Sequence, residues 1–218
     1  MNKTITVKGL GKVSAKPDHV VISMNLESRH MVYEKAMEQE TESIGQLTDA
    51  LAAADFAKDE LKTTNFNVRT DYEGVRRNDG SYENVFRGYA VDHGLQLEFD
   101  FDSSRLSRVL SVIGGCLAHP QLSIAFTVKD PAAVNEEVLR SAAENARRKA
   151  EILCAAAGQR LGELLTIDYN WGERPLYSNT RYGIAEECLS APAMGKAVDF
   201  APEDIAVSDT ATFVWALA

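Results

Sequence analysis

Cysteine is scarce in this sequence: only Cys116, Cys154 and Cys188 occur, and no two form a Cys-x-x-Cys pair. An odd, scattered set excludes a disulfide framework and a thiolate zinc site. Cys116 and Cys154 lie in apolar helical contexts and read as small core residues. Cys188 lies in a loop-like stretch and is the thiol to suspect of reactivity. Positive charge is also short, with 23 Lys and Arg against 32 Asp and Glu and a formal net charge of −9. A phosphate backbone demands clustered cations, so nucleic acid is excluded as a partner and an anionic membrane surface is disfavoured. The acidic balance serves solubility. No apolar run nears the ~20 residues of a bilayer span. No apolar segment precedes the first alternating residues at Thr4, so the chain reads as cytoplasmic. A chain whose leader has been cut away would start in the same way.

Catalytic signatures are missing too. There is no Gly-x-Ser-x-Gly elbow and no His-Glu-x-x-His helix. The four histidines, His19, His30, His93 and His119, do not pair at metal-ligand spacing. Gly9-Leu10-Gly11 follows a strand, but a dinucleotide loop needs a third glycine and a helix directly after it. Here a second strand comes next, so the two glycines are expected to serve a tight turn or bulge. No catalytic, cofactor-binding or metal residue is therefore assigned, and the chain is read as a non-enzyme.

What is present is ordinary globular material. The 218 residues are 45% apolar and 25% charged, enough for one domain with a real core. Thr4 to Lys8 and Val20 to Leu26 alternate as strands, with Pro17-Asp18 between them suggesting a hairpin. From Met31 to Ala54 the period lengthens. Tyr33, Met37, Ile44, Leu47, Leu51 and Ala54 mark a long amphipathic helix, and Glu40 takes the one heptad position that is not apolar. Leu61 to Tyr72 and Val85 to Phe101 read as partner strands around Asp79-Gly80, with His93 on the apolar face as a satisfied core or edge residue. Arg69, Arg76, Arg77 and Arg87 intersperse Asp71, Glu73, Asp79 and Glu83, as on a solvated, ion-paired loop.

Ser103 or Ser104 is expected to cap a helix that runs to about Gly114. Leu122 to Val128 alternates as a strand. Asp130-Pro131 opens a second long helix, closed by Gly158. Arg147-Arg148-Lys149 on it is flanked by Glu144 and Glu151 at pairing distance. Leu165 to Trp171 and Ile205 to Leu217 complete the strands. Between them, residues 172–203 show no sustained period and are expected to be a long irregular insertion. Both halves hold a long helix ending in an alanine run before a strand, a weak sign of an internal pseudo-repeat. The fold class is α+β, with antiparallel sheets packed against long amphipathic helices.

The order of these motifs resembles the SIMPL-domain family over nearly the whole chain. The matching residues are Ile5 to Asp18 with Gly9, Gly11, Pro17 and Asp18, then Thr63 to Val68, then Gly88-Tyr89. They continue with Ala146 to Glu151 including Arg147, Gly158, Leu161-Gly162, and Pro202 to Ser208, where Glu203 stands in place of the family's usual glycine. The resemblance implies a self-assembling, stress-related or scaffold protein that forms homo-oligomers. It brings no active-site residues with it. The matched positions are implied to be structural, with Pro17-Asp18 starting a strand and Arg147 anchoring a helix. Family members are often exported to the periplasm or cell surface. Two other readings stay open. One is a small-molecule-binding protein or enzyme with a cleft between sheet and helix, using His93, Asp92 and Asp71. The other is an adaptor that docks a protein partner through the 172–203 loop.

Overall fold

The computed structural model describes residues 3–77, 81–170, 172, 175–184 and 200–218. Cys188, the Asp79-Gly80 turn, Trp171 and most of the expected insertion lie outside the described residues. The fold is α+β, as the periodicities imply. Eight strands, β1 (Thr4–Ala15), β2 (His19–His30), β3 (Lys62–Arg76), β4 (Tyr82–Asp100), β5 (Gln121–Thr127), β6 (Leu161–Asp168), β7 (Tyr177–Ile184) and β8 (Ile205–Leu217), form two sheets among the described residues. The helices are α1 (Tyr33–Ala52), α2 (Ser103–Gly114) and α3 (Pro131–Ala156), with a 3-10 turn at Lys58–Glu60. The chain divides into two compact units, one of residues 1–18, 127–179 and 202–218, the other of 19–126 and 180–201.

The first unit is a three-stranded sheet, β1-β8-β6, with α3 against it. β1 and β8 pair without a break from Thr4↔Ala216 to Ala15↔Ile205. The hairpin expected between the first two strands does not form. Pro17 offers no N–H, the Asp18 N–H donates to the Thr127 carbonyl at 3.1 Å, and the Asp18 carboxylate accepts from the Lys129 N–H at 2.7 Å. These bonds replace a tight turn. Gly9 and Gly11 do not turn the chain either. They lie inside β1 on its buried face, and α3 crosses so closely that an added Cβ would stand 2.1 Å from the Ala142 carbonyl oxygen at Gly9 and 2.0 Å from that of Val138 at Gly11. The facing stripe of α3, Val138, Ala142, Ala146, Ala150 and Cys154, is mostly alanine and permits that approach.

Helix α3 starts as its sequence dictates. The Asp130 carboxylate accepts from the Ala133 N–H at 2.9 Å, and Pro131 fills the first position. It ends in a Schellman pattern: Gly158 takes φ +68°, its N–H reaches the Ala155 carbonyl and that of Gln159 the Cys154 carbonyl. Arg147 pairs with Glu151 one turn on, but both are well exposed, so the pair decorates α3 rather than anchoring it. β6 begins four residues earlier than its alternation suggests, at Leu161 opposite Leu217.

The second unit is a five-stranded sheet, β3-β4-β2-β5-β7. β7 is a strand within the stretch expected to be irregular. Val20, Ile22, Met24 and Leu26 of β2 and Leu95, Leu97 and Phe99 of β4 meet Leu47 and Leu51 of α1 and Leu106, Val109 and Ile113 of α2. Full burial of each large side chain stabilises by roughly 2 kcal/mol before entropy is counted. Asp102, not Ser103 or Ser104, caps α2, accepting from the Arg105 N–H at 2.7 Å. Gly88 is demanded by geometry. At a register shift in the β3–β4 pair it takes φ +122°, and a Cβ there would stand 2.5 Å from the His30 carbonyl oxygen. Its neighbour Tyr89 meets Tyr33 and Phe86 edge to face, with ring centroids 5.6 and 5.5 Å away.

Candidate functional site

Sheet alternation sends neighbouring residues to opposite faces, and this decides what the polar groups of β2, β3 and β4 can do. Leu26 and Ser28 of β2 and Val91, His93 and Leu95 of β4 are buried. Glu40, the polar exception in the stripe of α1, is 3% exposed and joins them. One of its oxygens accepts from the Ser28 hydroxyl at 2.9 Å, and the other accepts from His93 Nδ1 at 2.8 Å. A carboxylate only accepts, so Nδ1 carries a proton, and in the neutral imidazole Nε2 is the acceptor. Nε2 stands 3.0 Å from Thr63 Oγ1, which donates to it when the ring is neutral.

A β-bulge sets up this arrangement. The β3–β4 register steps from Thr63↔Leu95 to Asn65↔Gly94 and leaves Thr64 out of the pairing. Residues three apart on a regular strand face opposite sides. The extra residue brings Thr63 and Phe66 to the same side, so that Phe66 stands edge-on to the His93 ring with centroids 5.0 Å apart. Every hydrogen-bonding group of the Glu40–His93 pair thus has a partner, which is what burial of such a pair demands.

The outward face carries a separate ionic network. Arg69 Nε donates to Asp92 at 3.0 Å and Arg29 Nη1 to Asp71 at 3.2 Å, while Glu27 accepts from both arginines. The hydrogen bond from Arg29 to Glu27, then the charge of Glu27, holds the Arg29 guanidinium above its ordinary range. The three residues of the expected cleft therefore part company. His93 joins the buried group, whereas Asp92 and Asp71 are neutralised by arginines on the other face. Depressions of about 520 Å³, lined by Asp59, Glu60, Lys62, Gln96 and Glu98, and about 300 Å³, lined by Asn25, Glu27, Arg29, Ala118, His119 and Gln121, take no lining from His93. Among the described residues no cluster of His, Cys, Asp or Glu could hold a metal ion, and no helix is long and apolar enough to cross a membrane.

A second feature of this unit is the far end of the β3–β4 hairpin. β4 pairs with β2 only from Tyr89 to Asp100. Beyond Gly88, residues 72–76 pair with 82–86 and no third strand accompanies them among the described residues. This ribbon exposes Tyr72, Val75, Tyr82 and Val85, and Tyr82 is 75% accessible. The pairs Arg77–Glu83 and Arg87–Glu73 lace its edges. Charged residues at the tip were legible in the sequence, but the shared side of Tyr72 and Tyr82 was not, because it depends on the pairing of Tyr72 with Phe86 and of Arg76 with Tyr82.

The family model of SIMPL, protein of unknown function (DUF541), matches residues 5–215. The chain is 27% identical over 165 residues to the 26 kDa periplasmic immunogenic protein of Brucella melitensis biotype 1 and 26% identical to that of Brucella abortus strain S19. Each match covers 75% of this chain but only 65% of the relative's own length.

Proposed function

The chain belongs to the SIMPL family, a family of unknown function, and on that footing we propose that it works as a self-assembling, non-catalytic scaffold whose β3–β4 arm grips a second copy of the chain. The arm carries this reading. A two-stranded ribbon is marginal in water without a third strand or a packed face, and this one exposes Tyr72, Val75, Tyr82 and Val85. The register puts Tyr72 and Tyr82 on one side of the ribbon and Val75 and Val85 on the other, and a second copy laid on the aromatic side would cover Tyr72 and Tyr82. β6, an edge strand among the described residues with Leu164, Leu165 and Ile167 exposed, supports the same reading. A stress-related role in the cell envelope is the wider setting proposed, resting on the family and on the relatives' name as periplasmic proteins. Cell fractionation tests the location.

Light scattering after size exclusion tests the assembly. The expected mass is several times that of the 23.9 kDa chain, falling toward one chain in the combined Tyr72→Ser, Tyr82→Ser variant. A strict monomer at every concentration overturns the proposal. A fall in mass with Leu165→Lys and Ile167→Lys, but not with the arm variant, would move the grip to β6.

A further inference from the structure

Thr63 is the accessible end of a hydroxyl–imidazole–carboxylate relay, and we propose that it is an activated nucleophile that takes an acyl group from an activated ester or thioester. The relay runs from Thr63 Oγ1 to His93 Nε2 at 3.0 Å and from His93 Nδ1 to Glu40 at 2.8 Å. It has the order that hydroxyl activation requires: nucleophile, base, then a carboxylate that fixes the base's tautomer and stabilises its charged form. Ser28 is excluded from the role, because its hydroxyl donates to Glu40 and no base accepts its proton. His93 and Glu40 are buried, whereas Thr63 sits on the edge strand and is exposed. The base is therefore shielded while the nucleophile is open to solvent. Phe66, 47% exposed beside the His93 ring, offers an apolar shelf for an acyl chain.

In the step, the Thr63 oxygen forms a bond to the acyl carbon and its proton passes to His93 Nε2. The bond from the acyl carbon to the leaving oxygen or sulfur breaks, and His93 returns the proton to the leaving group. The products are an O-acyl threonine and a free alcohol or thiol, with no change of oxidation state. Thr63 is exposed on an edge strand, so the acyl donor is met at the surface and the reaction is a modification of the chain, not turnover. It is independent of assembly and goes beyond the scaffold reading.

The test is incubation of the full chain with p-nitrophenyl acetate, followed by peptide mass mapping and by the rate of p-nitrophenolate release. One acetyl group is expected on Thr63, retained in Thr63→Ser and absent in Thr63→Ala, whose exposed side chain can be trimmed without disturbing the core. His93→Asn keeps a donor to Glu40 but has no base, and should slow labelling of Thr63 by about 100-fold. A thermal melt checks that this variant is folded. If it is not, Glu40→Gln takes its place, with slower labelling expected. Acetyl groups on lysines alone, or labelling of Thr63 at an unchanged rate in a folded His93→Asn or Glu40→Gln chain, would overturn the proposal.

Discussion

Helix α3 and helix α1 both lie on antiparallel sheet, but they are fixed there by different means. Against β1, α3 is held by closeness. Glycine faces alanine, backbone approaches backbone, and the α3 side chains Asn145 and Ser141 accept from the Leu10 and Lys12 N–H groups at 3.0 and 3.4 Å. That contact also guards the outer edge of β1, while β6 at the opposite edge of the sheet has no further strand beside it among the described residues. Against β2 and β4, α1 is held by Leu47 and Leu51 and by one buried polar junction at Glu40. A close contact tolerates no added atom. A polar junction tolerates a change of size better than the loss of a partner.

The largest effect is expected where α3 meets β1. In Gly11→Ala the new methyl group would lie 2.0 Å from a backbone oxygen, so the helix must move. We expect a loss of about 4 kcal/mol in urea unfolding. Gly45→Ala in the middle of α1 is the counterpart. Nothing lies within 4 Å of its added Cβ, and the helix should gain about 1 kcal/mol. Equal, small effects at the two positions would show that the closeness of α3 to β1 does not decide stability.

The junction at Glu40 should break more gently and, unlike the glycine contact, should be partly repairable. Glu40→Leu leaves the Ser28 hydroxyl and His93 Nδ1–H without an acceptor and is expected to cost about 3 kcal/mol. His93→Phe strands the carboxylate in the same way. The double variant removes both polar partners and should cost clearly less than the two single changes added together, read as a double-mutant cycle in urea. Strict additivity would mean that Glu40 and His93 do not act as a unit.

Much of the fold was legible because the apolar periods survive in it, from α3 opening at Asp130-Pro131 to β8 spanning Ile205–Leu217. Half of the buried junction was legible as well. Glu40 stood out as the one polar residue in an apolar stripe, and His93 as a polar residue on an apolar face. Their meeting was not legible, since 53 residues separate them. Thr63 was hidden by the bulge, which breaks the two-residue period that would place it with Phe66. Gly9 and Gly11 were misread for a related reason. They continue the alternation of Ile5, Val7 and Val13, but a buried glycine looks like a turn until the helix that needs its missing Cβ is in view. β6 misled because its residues from Glu163 on are exposed on both faces, so its apolar pattern does not report burial.

The smallest effect sharpens the comparison from the side of the first unit, which has a polar contact of its own. The Tyr169 hydroxyl donates to Asp209 at 2.9 Å, and the half-buried ring packs against the apolar cluster of this unit. Burial, then the hydrogen bond and charge of Asp209, raises the phenol above its ordinary value of about 10. The folded chain therefore holds this proton more tightly than the unfolded one. Its contribution is complete below pH ~10 and is lost as pH rises through the folded value. Tyr169→Phe should cost about 1 kcal/mol at neutral pH and should flatten the alkaline fall in stability, read from urea midpoints at rising pH. Because α3 is seated by the glycine contact rather than by this bond, the variant should keep a single cooperative transition. A large loss at neutral pH would instead make the Tyr169–Asp209 contact a second junction of the Glu40 kind, and the contrast between the two units would lapse.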